Sequence, residues 1–388
     1  VADRPGEGLF YKEMPVSDSD LTLPAKPQKK ASRWGMFGPI LLLALLCAAW
    51  SGYWFYTAGR IQAQVLQHQK ALIAAGYQAS FDPIRVTGYP YRMVIDFHRL
   101  NIISPNGKGF SAPELRAEAN AYALDNWVAE APQGLTLYRG RTGGIDRGKV
   151  SVMGNGLRAS AFNLSKPVPT IAIEGDDLVL AASDAGYPLP FTTAKTLEAH
   201  VRPTANVADS ADFMLNFTGA QGQPKSLAGD FGASKALSLQ VEGAISHVST
   251  LRDTGAFGAW AAKGGQVSAF RLKLVQGGLA PLPANIFTTD CKAASAGDLN
   301  VCASSDLLTP DAAGRVNGKL KIEMSGTFNP IDVLGALNLI SSDNMTIARP
   351  LLNMTLATQG AQKFAVEFHD GGAWIGPLKV SDAPILPY

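Results

Sequence analysis

The chain changes its period of hydrophobic and polar residues twice. From Trp34 to Gly59, 26 consecutive residues carry no charge. Basic residues (Lys26, Lys29, Lys30, Arg33) precede this segment and Arg60 follows it. At about 1.5 Å per residue, such a helix crosses the roughly 30 Å hydrocarbon core of a bilayer with room to tilt. Residues 61–75 (IQAQVLQHQKALIAA) continue the helical pattern as far as Gly76, a natural C-terminal stop. The organisation predicted is a disordered cytoplasmic tail over 1–33, a transmembrane helix over 34–59, a juxtamembrane helix over 60–76 and a β-rich domain over 77–388.

Past Gly76 the period becomes two. Tyr91, Met93, Ile95 and Phe97 alternate with Arg92, Asp96 and His98, and Phe213, Leu215 and Phe217 alternate with Asp212, Asn216 and Thr218. Leu237, Leu239, Val241 and Ile245 do the same, as do Val316, Leu320, Ile322 and Met324, and then Phe364, Val366 and Phe368. One apolar and one wet face per strand is what an antiparallel sheet with a single buried side requires. Further strands are predicted at 84–88, 157–163, 168–174, 177–182, 195–202, 266–275, 297–303 and 372–380, about a dozen in all. Asn106-Gly107, Asn155-Gly156, Asn317-Gly318 and Asp370-Gly371 are the expected turns. Two helical inserts interrupt the meander. One starts at Asn329-Pro330 before IDVLGALNLI, and the other is LRDTGAFGAWAAK from Leu251.

Charge distribution orients the anchor. Four Lys or Arg lie in the fifteen residues before the span and two in the fifteen from Arg60 onward, which places the N-terminus in the cytoplasm. Trp50, Tyr53, Trp54 and Tyr56 crowd the far end, where aromatic rings favour the headgroup level. A cleaved signal would have a shorter apolar region and a small-x-small site, and a lipoprotein signal would have a small residue where Leu46 precedes Cys47.

Net charge is +2, the pI is near 8.3 and the charges are scattered, so no basic stripe exists to neutralise nucleic-acid phosphates. Of three cysteines, Cys47 belongs to the span; Cys291 and Cys302 are a possible disulfide, with two buried thiols as the alternative. No catalytic or metal-binding motif occurs, and no cofactor is expected. Gly154-Asn155-Gly156 reads as a hairpin turn rather than a dinucleotide site, and Asp176-Asp177 reads as the completion of a turn.

GYPYRMVIDFHRLNI, FSAPELRAEA, GRVNGKLKIEMSG and the ending DGGAWIGPLKVSDAPILP resemble the bacterial family known as domain of unknown function 2125, grouped with AsmA-like envelope proteins. The resemblance runs from about Arg33 to the end. It implies a long, curved antiparallel sheet with an apolar concave face, anchored in the inner membrane, standing in the periplasm and handling phospholipid. The residues expected on the lipid groove are Met93, Ile95, Phe97, Leu215, Phe217, Leu239, Val241, Leu320, Ile322, Phe364, Val366 and Phe368. Their face is either an open groove for acyl chains or the dry core of a folded sandwich. The expected function is lipid binding or transfer by a non-enzyme, with the membrane and a phospholipid or other acyl-chain lipid as partners. The alternative is an assembly factor that binds envelope proteins around an ordinary core.

Overall fold

A computed structural model describes residues 34–142, 145–183, 189, 191–222, 227–233, 235–252, 260–277, 298–311, 314–326, 328–336, 340, 349–350 and 363–384. The chain divides into two units, 1–52 and 53–388. Helix α1 (Trp34–Ala74) is unbroken over 41 residues and ends at Gly76, whose φ of 84° is the left-handed stop that glycine adopts without strain. It is long and apolar enough to cross a membrane.

Within the second unit the later part of α1 is a docked element. The Trp54 ring is 3% exposed and its Nε1 donates to the Arg92 carbonyl at 3.0 Å, while the Tyr53 hydroxyl donates to the Ala121 carbonyl at 3.2 Å. Gln62 and Gln69 donate to the carbonyls of Ile84 and Ala79. Two residues of the aromatic cluster expected at the headgroup level thus also contact the sheet domain. Both spend their polar handles on backbone carbonyls of that domain.

The remainder is strand. The first group is β1 (Gln78–Ser80), β2 (Val86–Thr87), β3 (Arg92–Ile103), β4 (Lys108–Asn120), β5 (Ala123–Glu130) and β6 (Leu135–Arg139). After the small hairpin of β7 (Arg141–Thr142) and β8 (Ile145–Asp146) come β9 (Lys149–Phe162), β10 (Thr170–Ala182), β11 (Thr193–Pro203), β12 (Ser210–Ala220) and β13 (Leu237–Ser246). The last are β14 (Val267–Gln276), β15 (Asn300–Pro310), β16 (Val316–Ser325), β17 (Lys363–His369), β18 (Gly372–Ile375) and β19 (Leu378–Asp382). Seventeen of them form one sheet, antiparallel at every pairing. The meander is nearly pure, because each strand pairs with the next in sequence from β9 to β19. Strands β5 and β6 both pair β4 on one side and β9 on the other, so together they act as one broken strand. Strands β1 and β2 share β3 in the same way. Short or broken edges offer little backbone for another chain to add to.

Several turn expectations are corrected. Asn106-Gly107 and Asp370-Gly371 do turn the chain. Asn155-Gly156 lies inside β9, and Asp176-Asp177 lies inside β10, opposite it. The two strands expected at 168–174 and 177–182 are therefore one, kinked by shifts of register at Glu174–Asp176–Val179. These residues build a bulge, which uses the same left-handed conformations as a hairpin; Gly156 has φ 58° and Asp177 φ 49°. Asn317-Gly318 likewise falls within β16, opposite the shift between Ser304 and Leu308. The run at 372–380 divides into β18 and β19 at Gly376.

Helix α2 (Leu227–Phe231) and helix α3 (Pro330–Ala336) fill the late part of the core. The Asn329 side chain accepts from the Ile331 amide at 3.0 Å, and Pro330 needs no partner at the first helical position. Ile331, Val333 and Leu334 are at most 1% exposed, and Phe231 meets Phe328 edge to face at 5.4 Å. The insert expected from Leu251 lies mostly outside the described residues; a 3₁₀ turn covers Val248–Arg252. Cys47 is free, Cys302 is disulfide-bonded and Cys291 lies outside the described residues. Leu334→Ala should cost about 2–5 kcal/mol of stability. Leu307→Ala, at a site 45% exposed, should stay within about 0.5 kcal/mol, and denaturant melts of both variants check the contrast.

Candidate functional site

Antiparallel register carries a side chain's face from strand to strand, since directly opposed residues point the same way. Starting at Ile95, the opposed positions read Ala117, Ala129, Ala159, Ile173, Ala199, Leu215, Val241, Leu272, Ala303, Ile322 and Phe364. From β3 to β17 this row contains no polar residue. The adjacent row on the opposite face reads Asp96, Arg116, Glu130, Arg158, Glu174, Glu198, Asn216, Gln240, Lys273, Cys302, Glu323 and Lys363. Opposite charges there pair across strands, with Arg158–Glu174 at 2.6 Å and Lys363–Glu323 at 3.2 Å. Such exposed pairs contribute about 0–1 kcal/mol each, so their main effect is to keep this face wet.

Burial along the apolar row is uneven. Ile95 is covered at one end, and Ala303, Ile322 and Phe364 are covered at the other, where they join the core that α3 completes. Between them, Ala117, Ala129, Ala159, Ala199, Leu215, Val241 and Leu272 are only half-buried, and Ile173 is 39% exposed. The half-open stretch crosses β4, β5 and β9 to β14. Seven spacings of about 4.8 Å make it roughly 34 Å long.

Larger residues flank it on the same face. Leu115, Leu157, Leu197 and Phe217 stand two positions to one side, and Trp127, Ile171, Val201 and Phe213 two positions to the other. At β4, β5, β9 and β11 the row is alanine and makes a shallow trough with a methyl floor, while at β10 and β12 to β14 Ile173, Leu215, Val241 and Leu272 stand in it and Ala119, Ala161 and Gly175 lower its sides. Phe213 is set low against the sheet because Gly243 opposes it; a Cβ there would come within 2.8 Å of the ring.

The twelve residues expected on the groove all lie on this face, and the structure separates them by burial. Met93, Ile95, Phe217, Leu320, Ile322, Phe364, Val366 and Phe368 are at most 8% exposed, while Phe97, Leu215, Leu239 and Val241 are half-buried. Sequence reasoning missed the floor. Ala117, Ala129, Ala159 and Ala199 are strictly alternating positions, visible in RAEAN, VAEA and RASAF, but alanine weighs little in a hydrophobic pattern.

No group of three His, Cys, Asp or Glu side chains that could hold a metal ion occurs among the described residues. The polar face is covered across β12, β13 and β15, where Asn216, Ser238, Gln240, Glu242, Asn300 and Cys302 are at most 8% exposed. Gln240 Nε2 donates to Glu242 Oε1 at 2.5 Å. Burial pushes the Glu242 carboxyl above the ordinary carboxylate value, against the opposing pull of Arg271 and the Gln240 hydrogen bond.

A family profile matches residues 54–384, from the docked aromatic turn of α1 to the strands that close the sheet. The chain belongs to this family, described as an uncharacterized protein conserved in bacteria (DUF2125). No curated protein and no solved structure matches it significantly. The DUF2125 match ends just past β19, so the whole apolar row lies inside it.

Because its folded-state pKa is raised, Glu242 favours the fold below the ordinary carboxylate range and loses that contribution as pH rises through the folded value. Glu242→Gln should therefore raise Tm near pH 7.5, and the gain should shrink to nothing near pH 4; thermal melts across that range check it.

Proposed function

We propose that this DUF2125 protein is a membrane-tethered lipid-binding protein of the bacterial envelope that works without covalent chemistry. In this reading α1 anchors the chain in the inner membrane with its N-terminus in the cytoplasm, and the sheet stands in the periplasm. Acyl chains lie in the trough. The observation that supports the reading is the unbroken apolar row, half-open over eight strands and bounded at both ends by buried residues. A soluble monomer rarely exposes a contiguous apolar patch beyond a few hundred Å², and such patches mark binding sites. Covering it with acyl methylenes gains about 0.8 kcal/mol for each one buried. The trough, roughly 34 Å long, is about twice the depth of one leaflet's hydrocarbon, half of a core of about 30 Å, so it has length for an entire acyl chain. The resemblance to AsmA-like envelope proteins agrees with an acyl-chain ligand.

The exposed Ile173 gives a clean test. Protein extracted in mild detergent should carry phospholipid detectable by mass spectrometry. Ile173→Asp should lower that content at least fivefold with Tm unchanged, since a carboxylate would face the acyl chain. Wild-type protein free of lipid, or an unchanged lipid content in Ile173→Asp, refutes the reading and leaves the assembly-factor alternative, for which crosslinking in cells should capture one dominant protein partner. Reporter fusions to the C-terminus should be active only in the periplasm.

A further inference from the structure

A second concavity lies at the ends of the strands. The β3–β4 turn, the end of β6, the β7–β8 hairpin and the start of β9 enclose a cavity of about 830 Å³. Its lining includes Arg141, Lys149, Tyr138 and Asp146. Arg141 and Lys149 are exposed and form no ion pair with a described residue. The Lys149 ammonium sits 4.9 Å from the centre of the Tyr138 ring, which holds it in place without neutralising it. Asp146 also lines the cavity and is directly opposed to Arg141 across the hairpin, and its Oδ1 accepts from the Gly148 amide at 2.9 Å, so the lining carries two cations and one carboxylate.

Positive charge accumulates behind this wall. Lys108 and Arg139 are directly opposed on β4 and β6, and Arg147 is in the same hairpin, so residues 139–149 hold four basic side chains and one acidic. Burial lowers the pKa of Lys108 from its ordinary value, the direction expected where a cation is drawn out of water. By strand alternation Lys108 and Arg139 belong to the face opposite Tyr138 and Lys149, outside the lining, so the cavity's own cations are Arg141 and Lys149. The wall is also kept low. Gly140 has φ 71°, and a Cβ there would strike the Lys108 side chain at 2.5 Å and the Asn106 carbonyl at 2.9 Å.

We propose that this cavity binds a phosphate group, with Arg141 as the planar donor and Lys149 as the point charge beside it. The site is separate from the trough, and the inference does not rest on acyl chains occupying the latter. The chemistry fits equally the phosphodiester of a lipid headgroup and a free phosphate.

The test uses the full chain in a nonionic detergent and three probes: inorganic phosphate, dihexanoyl phosphatidylglycerol, and dihexanoylglycerol, which lacks the phosphate. Calorimetry should show the phosphatidylglycerol binding, with affinity reduced about tenfold or more in the double variant Arg141→Gln, Lys149→Gln. Dihexanoylglycerol should be indifferent to that variant. Both residues are exposed, so circular dichroism and Tm should match wild type. Inorganic phosphate binding with the same sensitivity assigns the site to the phosphate group alone; sensitivity of the lipid without binding of inorganic phosphate assigns it to a headgroup. If neither phosphate-bearing probe loses affinity in the double variant, the proposal is overturned. Ile173→Asp should leave inorganic phosphate binding unchanged, which separates failure here from failure of the trough.

Discussion

Strand register is the constraint on which the rest of this structure depends. A one-residue slip between any two neighbours would transfer every side chain beyond it to the other face. Twelve apolar residues in line, beside twelve that are nearly all polar, exist only because each pairing from β3 to β17 keeps its phase through that row. The irregularities fall to either side, at Ala119–Asn120, Glu174–Asp176–Val179, Phe217–Ala220, Glu242–Ala244 and Ser304–Leu308. The sheet bends and twists where its bulges are and stays in step where its oily row runs.

Much of this was legible in the sequence because it is local. The uncharged run from Trp34, the glycine stop at Gly76, the Asn329-Pro330 helix start and the period-two runs depend on neighbours a few residues apart, and all appear in the fold. The misreadings share a different physics. Asn155-Gly156 supplies the same backbone freedom to a hairpin and to a bulge, and only the residues opposite, on β10, decide between them. The alanine floor was missed because its meaning comes from partners tens of residues away. Whether Phe364 or Leu215 meets solvent depends on where α3 packs, which alternation does not encode.

The basic cavity is a second instance of non-local assembly. Its lining joins Gly76, Gln78, the β3–β4 turn and Ser183 to residues of the 138–149 segment. Residues 139–149 already hold four basic side chains and one acidic. That local surplus averages away in a whole-chain net charge of +2. Composition understates electrostatics of this kind.

The two ends of the oily row have a consequence for traffic. At β15 to β17 the row joins the buried core to which α3 contributes, and at β3 Ile95 is covered as well. For an acyl guest of the kind proposed, lengthwise exit would be blocked at both termini, and arrival and departure would use the long open side. On that proposal the geometry would be that of a berth with closed head and foot rather than a pipe, with one doorway for loading and unloading.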